Sequence, residues 1–247
     1  QTLLKRFGKP SLAPIESGDF KGKESEIAVN YLSGNRRLFL VGLGEKGKVS
    51  LETLRRVAAS AVKKARTSRS TTIAFEIPQT QHPPADTIMA LGEGALLGLY
   101  RFDKYLSKKE ESGTLEQVVL CSEEKKFSSA SRSLAQAQII AEATIHARDL
   151  ANAPGNEIYP ETLAKAAEDI AERCGFEATI LDEAEIESLG MGGVIGVSRG
   201  SSRPPRFIIL EYGKSSSRTV VLVGKGVTFD TGGITIKPSA GKAEMKM

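Results

Sequence analysis

Cysteine and histidine are scarce in this sequence of 247 residues, and their scarcity excludes several kinds of site. The two cysteines, Cys121 and Cys174, are too few for a disulfide framework, and their apolar surroundings predict reduced core residues in a reducing compartment. The two histidines, His82 and His146, exclude a zinc site built from several imidazoles, and they leave a Ser-His-Asp centre only two candidate bases. Any chemistry of this chain therefore depends on carboxylates, lysines or the backbone.

Long apolar runs and a strong charge imbalance are also missing. No run approaches the roughly 18 residues that a membrane helix needs, and no signal pattern opens the chain, so we expect a cytoplasmic protein without a membrane partner. The 34 basic and 30 acidic side chains leave a net charge of +4, too little to indicate an obligate nucleic-acid binder. Residues 1–150 carry 23 basic and 17 acidic side chains, whereas residues 151–247 carry 11 and 13. Because the chain starts at Gln1 and stops at Met247 without capping composition, we expect a fragment.

Strand-like and helix-like segments alternate along the chain, which predicts an α/β fold. In the first half this order indicates a mostly parallel sheet covered by helices, with strands at 37–43, 72–77 and 115–121 and helices within 51–65 and 88–102. A helical stretch over 128–151 is the candidate connection to a second α/β unit. That unit has a helix from Pro160 to a stop at Gly175, and strands at 206–212 and 218–223, the latter with a buried parallel run at 220–223.

The glycines Gly42, Gly44 and Gly47 follow a strand and match the spacing of a dinucleotide fingerprint. Such a site also needs an acidic residue about 20 positions later, and residues 60–66 contain none. We therefore favour a tight strand-to-helix turn, with ADP-ribose binding at 42–47 as an alternative. The nearby Lys63, Lys64, Arg66 and Arg69 are interpreted first as a solvated helix end and second as a phosphate-contacting patch.

Charged side chains gather after the run 220–223. Lys225 lies between two glycines, Asp230 follows five residues later, and a strand-like run 234–237 ends in Lys237. Two lysines and an aspartate near a strand end indicate a carboxylate-bound metal with a cationic partner, or else a phosphate cradle. The phosphate interpretation lacks the usual Gly-Lys-Ser/Thr order, because Gly226 follows Lys225. A surface hairpin with charged tips is the third interpretation.

The string VGKGVTFDTGGITIKPSA at 223–240, followed by 244–247, closely resembles the metal-binding segment of the leucyl aminopeptidase, or cytosol aminopeptidase, family. Residues 147–156 are similar to that family's domain junction, and residues 200–212 to its approach to the central strand. The resemblance extends over residues 36–247 and is strongest from residue 147. It identifies the chain as the N-terminal domain plus the start of the peptidase domain.

The resemblance implies a macro-like α/β domain at 1–126, a connecting helix at 127–156, and the first part of a dinuclear-metal peptidase domain at 157–247. It implies that Lys225 coordinates one metal ion, Asp230 bridges both, Lys237 is catalytic and Met245 lines the substrate pocket. It also implies peptides with a free N-terminus as substrates, a leucine-like preference and a homohexamer. The cofactors would be two divalent ions, zinc or manganese, with magnesium or cobalt as alternatives.

Part of the family's site has no counterpart in this sequence. Members continue with an aspartate just after the position of Met247, and later with an Asn-Thr-Asp-Ala-Glu-Gly-Arg segment that supplies two more carboxylate ligands and an arginine. The chain thus holds two of the five ligands that the resemblance implies, and we expect it to be inactive by itself. A nucleic-acid-binding or ADP-ribose-binding role of the N-terminal domain is the less favoured alternative.

Overall fold

The computed structural model describes residues 13–107, 113–121, 130–213 and 218–230, together with residue 240. Helices and strands are mixed along the chain, and the predicted α/β class is confirmed. Two compact units, Gln1–His146 and Ala147–Met247, divide the chain. The domain limits at residues 126 and 156 stay a prediction. No helix in the described ranges is both long and apolar enough to cross a membrane.

The first unit opens with a short helix and a hairpin. Helix α1 spans Ala13–Glu16, strand β1 spans Ile27–Leu32, and strand β2 spans Arg36–Val41. The two strands pair antiparallel, from Ile27 opposite Val41 to Leu32 opposite Arg36. Their short connection is possible because Gly34 and Asn35 adopt positive φ angles of 72° and 56°, which these two residue types tolerate.

Two helices and two strands follow: α2 at Leu51–Thr67, β3 at Thr72–Glu76, α3 at Pro84–Leu99 and β4 at Gln117–Cys121. β3 and β4 pair in parallel, in the register Thr72 opposite Gln117. The predicted order of elements is confirmed, but the mostly parallel sheet predicted for this half is wrong for the described strands, because one of its two described pairings is antiparallel. The difference arises from hairpin-type partners, such as β1, that the alternation of segments does not predict.

Helix α2 begins where the sequence supplies a cap and an apolar face. The Ser50 hydroxyl accepts a hydrogen bond from the Thr53 backbone N–H at 3.0 Å, which satisfies one of the free amides of the first turn. Its buried face packs into two core clusters that also include α3 and the strands; the α2 residues in them are Leu54, Ala58, Ala61, Val62 and Ala65.

Helices α2 and α3 approach to backbone contact. A Cβ atom added at Gly98 would lie 2.6 Å from the Ala59 Cα, and one added at Gly94 would overlap the Arg55 carbonyl oxygen. At the same crossing the Arg55 Nε donates to the carboxylate of Glu93, whose side chain is only 5% exposed. Glycine at these two positions therefore sets the distance between the helices, and the ion pair satisfies the buried charge.

Helix α4, Ala130–Asn152, confirms the predicted long helical stretch. Its buried positions are Ser133, Ala137 and Ala141, four residues apart and all small. Ala137 faces α3, where a Cβ added at Gly92 would lie 3.0 Å from the Ala137 Cβ. Small side chains on both helices thus permit a close contact.

The second unit contains helix α5 at Pro160–Cys174, strand β5 at Glu177–Leu181, helices α6 at Glu183–Ser188 and α7 at Gly192–Ser198, and strand β6 at Phe207–Glu211. Gly175 ends α5 with φ of 74°, as predicted from its position. β5 and β6 pair antiparallel, from Glu177 opposite Glu211 to Leu181 opposite Phe207.

Two predictions about burial are wrong. Cys121 and Cys174 are free thiols but exposed rather than in the core, because each is the last residue of its strand or helix. The run 220–223 is neither a strand nor buried: its four side chains are 74–93% exposed. An apolar run becomes a buried strand only when other strands pair with it, and none of the described strands does so.

Candidate active site

The structure describes two of the four predicted site residues. Lys225 and Asp230 lie in the described segment 218–230, whereas Lys237 and Met245 lie outside the described residues. Their roles, and the predicted strand 234–237, therefore stay predictions.

Segment 218–230 contains no helix or strand. Lys225 is exposed, and open space surrounds the α-carbons of its neighbours Gly224 and Gly226. The expectation that Lys225 leaves the end of a buried strand is therefore wrong for this segment. The Lys225 amine and the Asp230 carboxylate are instead both exposed, five residues apart on a segment without helix or strand.

Phe229 lies beside the turn that follows α4. A Cβ added at Gly155 would lie 3.4 Å from the Phe229 Cβ and 3.5 Å from two atoms of its ring. Nothing in the sequence pairs position 155 with position 229, so this proximity could not be predicted. Asp230 is the next residue, so the contact fixes the backbone from which the predicted bridging carboxylate extends.

The donor types in segment 218–230 suit a divalent metal ion, but their number does not complete a site. A carboxylate and a neutral amine are both ligands of zinc or manganese, and such ions take four to six ligands. No group of three or more His, Cys, Asp or Glu side chains in the described ranges is arranged to hold a metal. Lys225 and Asp230 can thus contribute part of a coordination shell, and other side chains must supply the rest.

The glycine-rich turn at 42–47 is occupied by the chain itself. The Gly42 and Gly44 amides donate to the carbonyl oxygens of Glu26 and Gly22 at 2.8 and 2.9 Å. A Cβ at Gly42 would overlap the Lys23 carbonyl oxygen, and Gly44 has φ of 79°. These two amides are not available to a phosphate; close backbone approach explains Gly42, and the positive φ explains Gly44. The tight-turn interpretation accounts for this motif.

Basic side chains of the first unit gather where α2 and α3 end. The Arg66 Nη1 donates to the Leu99 carbonyl oxygen at 3.1 Å, and the Arg37 Nη1 to the Ser70 hydroxyl at 3.5 Å, which joins the hairpin to the same end. Tyr31, 78% exposed, lies opposite Arg37. We call this surface the basic end; its cationic residues are Arg36, Arg37, Lys63, Lys64, Arg66, Arg69, Arg101 and Lys104.

The second unit also carries a mixed-charge groove that the sequence argument did not identify. Its volume is about 370 Å³, and its polar lining includes Tyr159, Glu161, Lys165, Glu168 and Arg206. A hydrogen bond to Asp169, at 3.2 Å, raises the pKa of Lys165. Acidic and basic side chains are balanced in this lining, and Lys165 pairs with Glu168 and Asp169 of α5. The charge of the groove therefore does not indicate whether a ligand would be an anion or a cation.

Two family models match the chain. The model of the cytosol aminopeptidase family's N-terminal domain matches residues 2–109, and that of the family's catalytic domain matches residues 145–247. In both the family and this chain, the N-terminal domain therefore precedes the catalytic domain. The chain belongs to the cytosol aminopeptidase family.

Individual relatives agree with this assignment. The probable cytosol aminopeptidase of Geobacter sp. (strain M21) is 40% identical over 237 residues, which cover 94% of this chain and 48% of the relative. That of Aquifex aeolicus (strain VF5) is also 40% identical, with 94% of this chain and 47% of the relative covered. The chain spans about half the length of the curated relatives it matches.

Solved structures give the same result. The bottromycin maturation enzyme BotP in complex with Mn superposes with a TM-score of 0.81 at 33% identity, covering 95% of this chain and 50% of that one. A mutant of tomato leucine aminopeptidase superposes with a TM-score of 0.81 at 28% identity, covering 100% of this chain and 50% of that one.

Proposed function

We propose that this chain supplies the N-terminal domain and the first part of the catalytic domain of a dinuclear-metal aminopeptidase that releases leucine-like N-terminal residues from peptides. The observation that carries the proposal is the match of residues 145–247 to the family's catalytic domain, which includes Lys225 and Asp230. The Mn named with BotP supports a divalent-metal requirement. Location in the cytoplasm and assembly as a homohexamer belong to the same proposal.

In this function Asp230 and Lys225 would hold the two metal ions, Asp230 as a ligand of both and Lys225 as a ligand of one. When bound, the two ions would activate a water molecule for attack on the scissile carbonyl and would bind the free α-amine of the substrate. Lys237, as a cation, stabilises the developing oxyanion, a contribution of about 3–4 kcal/mol for one such donor. Met245 lines the pocket for the N-terminal side chain.

Chelation tests the proposal on the complete enzyme, by which we mean this sequence joined to the rest of the catalytic domain. We expect the complete enzyme to hydrolyse leucine p-nitroanilide, to lose this activity when metal is removed, and to regain it with manganese or zinc. Unchanged activity after exhaustive chelation would contradict the two-metal function.

A second candidate function, nucleic-acid binding, is favoured by the basic end. Lys64 and Arg66 in the last turn of α2 also stabilise that helix's dipole, but Arg36 and Arg37 lie on the hairpin, where no helix explains them. The Arg37 guanidinium lies 5.8 Å from the centre of the Tyr31 ring, and Lys104 lies 5.7 Å from that of Tyr105, which is 52% exposed. Exposed rings among cations are typical of surfaces that stack bases and contact phosphates.

A salt titration tests this second function. If the basic end contacts phosphates, binding of a single-stranded DNA oligomer, followed by fluorescence anisotropy, weakens steeply and log-linearly with salt. Arg36→Glu then lowers both the affinity and the slope. Lys46→Glu, in the glycine-rich turn, is the matched control and changes neither. No binding at low salt, or equal loss in both variants, would remove the candidate.

A further inference from the structure

The turn after α4, residues 153–158, is fixed to the helix on either side. The Ala153 N–H donates to the Asp149 carbonyl oxygen at 3.0 Å, and the Glu157 and Ile158 N–H groups donate to the Pro154 carbonyl oxygen at 2.9 and 3.0 Å. Ala153 is only 5% exposed. At the far side the Thr162 hydroxyl of α5 donates to the Glu157 carbonyl oxygen at 2.6 Å. Gly155 therefore sits in a backbone frame with little freedom to move.

Segment 218–230 lies beside this turn without forming a helix or strand of its own. Its apolar run 220–223 is 74–93% exposed. The Cβ and ring of Phe229 lie 3.4–3.5 Å from the point where a Cβ of residue 155 would be, although Phe229 is still 56% exposed. The position of Phe229 beside the turn thus restrains the carboxyl end of this segment.

The size of residue 155 controls this contact. The Gly155 backbone lies outside the left-handed region, so φ does not require glycine there. A Cβ would lie 3.4 Å from the Phe229 Cβ, which is an ordinary van der Waals distance, so alanine fits. A branched side chain would place methyl groups where the ring now lies and would displace it.

We propose that Gly155 and Phe229 are positioning residues: the Phe229 ring, seated on Gly155, orients the backbone that presents the Asp230 carboxylate to the metal ions. This inference rests on the proposed function, because it takes Asp230 to be a metal ligand. Neither positioning residue supplies a donor atom. Residues that orient a ligand typically change metal affinity by about 10–100-fold when they are substituted.

Calorimetric titration of the metal-free complete enzyme with manganese tests the proposal, alongside the melting temperature of the metal-free protein. Gly155→Ala is the matched control and keeps the affinity of the wild type. Gly155→Val and Phe229→Ala each weaken manganese binding by about tenfold or more while the metal-free melting temperature stays close to that of the wild type. Phe229→Leu, which keeps an apolar contact, retains more affinity than Phe229→Ala.

The outcomes separate this proposal from the proposed function. Asp230→Asn should abolish tight manganese binding, and if it does not, the bridging role of Asp230 fails. If Asp230→Asn loses manganese while Gly155→Val and Phe229→Ala bind it as the wild type does, the positioning role alone is overturned. Should Gly155→Val not fold, the pair Phe229→Leu and Phe229→Ala decides, and equal affinity in these two overturns the proposal.

Discussion

Glu26 closes the loop that packs against the glycine-rich turn. One carboxylate oxygen accepts hydrogen bonds from the Lys21 and Lys23 backbone N–H groups at 3.0 and 2.9 Å. These bonds, that from Lys23 above all, lower the pKa of Glu26 from its ordinary value of 4.5. The ionised form is therefore favoured by the fold. Its contribution to stability is complete above pH about 4.5 and is lost as the pH falls through the lowered pKa of the folded state.

Urea unfolding measures this contribution. We expect Glu26→Gln to unfold at lower urea than the wild type at pH 7, and the difference to shrink as the pH falls below about 4.5 and through the lowered pKa of Glu26. Glu45→Gln is the control, because Glu45 forms an exposed ion pair with Lys48 and such pairs contribute little. A difference between wild type and Glu26→Gln that stays constant from pH 7 to 3 would contradict the assignment.

Lys225 and Lys237 carry opposite chemical requirements in the proposed function. A lysine ligates a metal only as the neutral amine, whereas an oxyanion stabiliser must stay charged. Arginine keeps its proton in practice. Lys225→Arg should therefore lower manganese affinity of the complete enzyme by more than about tenfold, while Lys237→Arg should keep the metal and lose turnover. Calorimetry and a turnover assay on both variants check this, and wild-type affinity in Lys225→Arg would remove Lys225 from the ligands.

At the scale of elements, the crossing of α2 and α3 depends on Gly94. A Cβ at this position would lie 2.6 Å from the Arg55 Cα, so Gly94→Ala must push the helices apart. Overpacking of this kind costs about 1–3 kcal/mol. Gly196→Ala is the matched control, since that glycine is also helical but has open space around it, and alanine is favoured there by up to about 1 kcal/mol. Differential scanning calorimetry of both variants should show a lower melting temperature only for Gly94→Ala.

Elements with local causes could be predicted from the sequence, and elements with distant causes could not. Helix α2 and the end of α5 follow from Ser50 and Gly175, residues that act within one helical turn. The resemblance of residues 223–240 to a family segment is also local, but it did not give the conformation of residues 223–230. Whether the run 220–223 is a strand depends on partners far along the chain, as does the antiparallel pairing of β2 with β1. The contact of Phe229 with Gly155 belongs to this second kind.

At the scale of the whole molecule, the chain spans about half the length of its curated relatives. Three of the five metal ligands that the resemblance implies have no counterpart among its 247 residues. The exposed run Val220, Val221, Leu222 and Val223 has the composition of a central strand without described neighbours. An uncovered apolar run of this kind favours association between copies.

We therefore expect the chain of residues 1–247 alone to be catalytically inactive and to bind the dye ANS more strongly than the complete enzyme does. Two of five ligands cannot hold two metal ions, so no metal-activated water forms, and the uncovered run offers the dye an apolar surface. Leucine p-nitroanilide turnover with a manganese titration checks the first statement, and ANS fluorescence checks the second, each measured on the chain and on the complete enzyme. The complete enzyme carrying Asp230→Asn is the control: it should be inactive like the chain, yet bind little dye, because its apolar run is covered. Turnover by the isolated chain near that of the complete enzyme would show that the ligands lie within residues 1–247 after all.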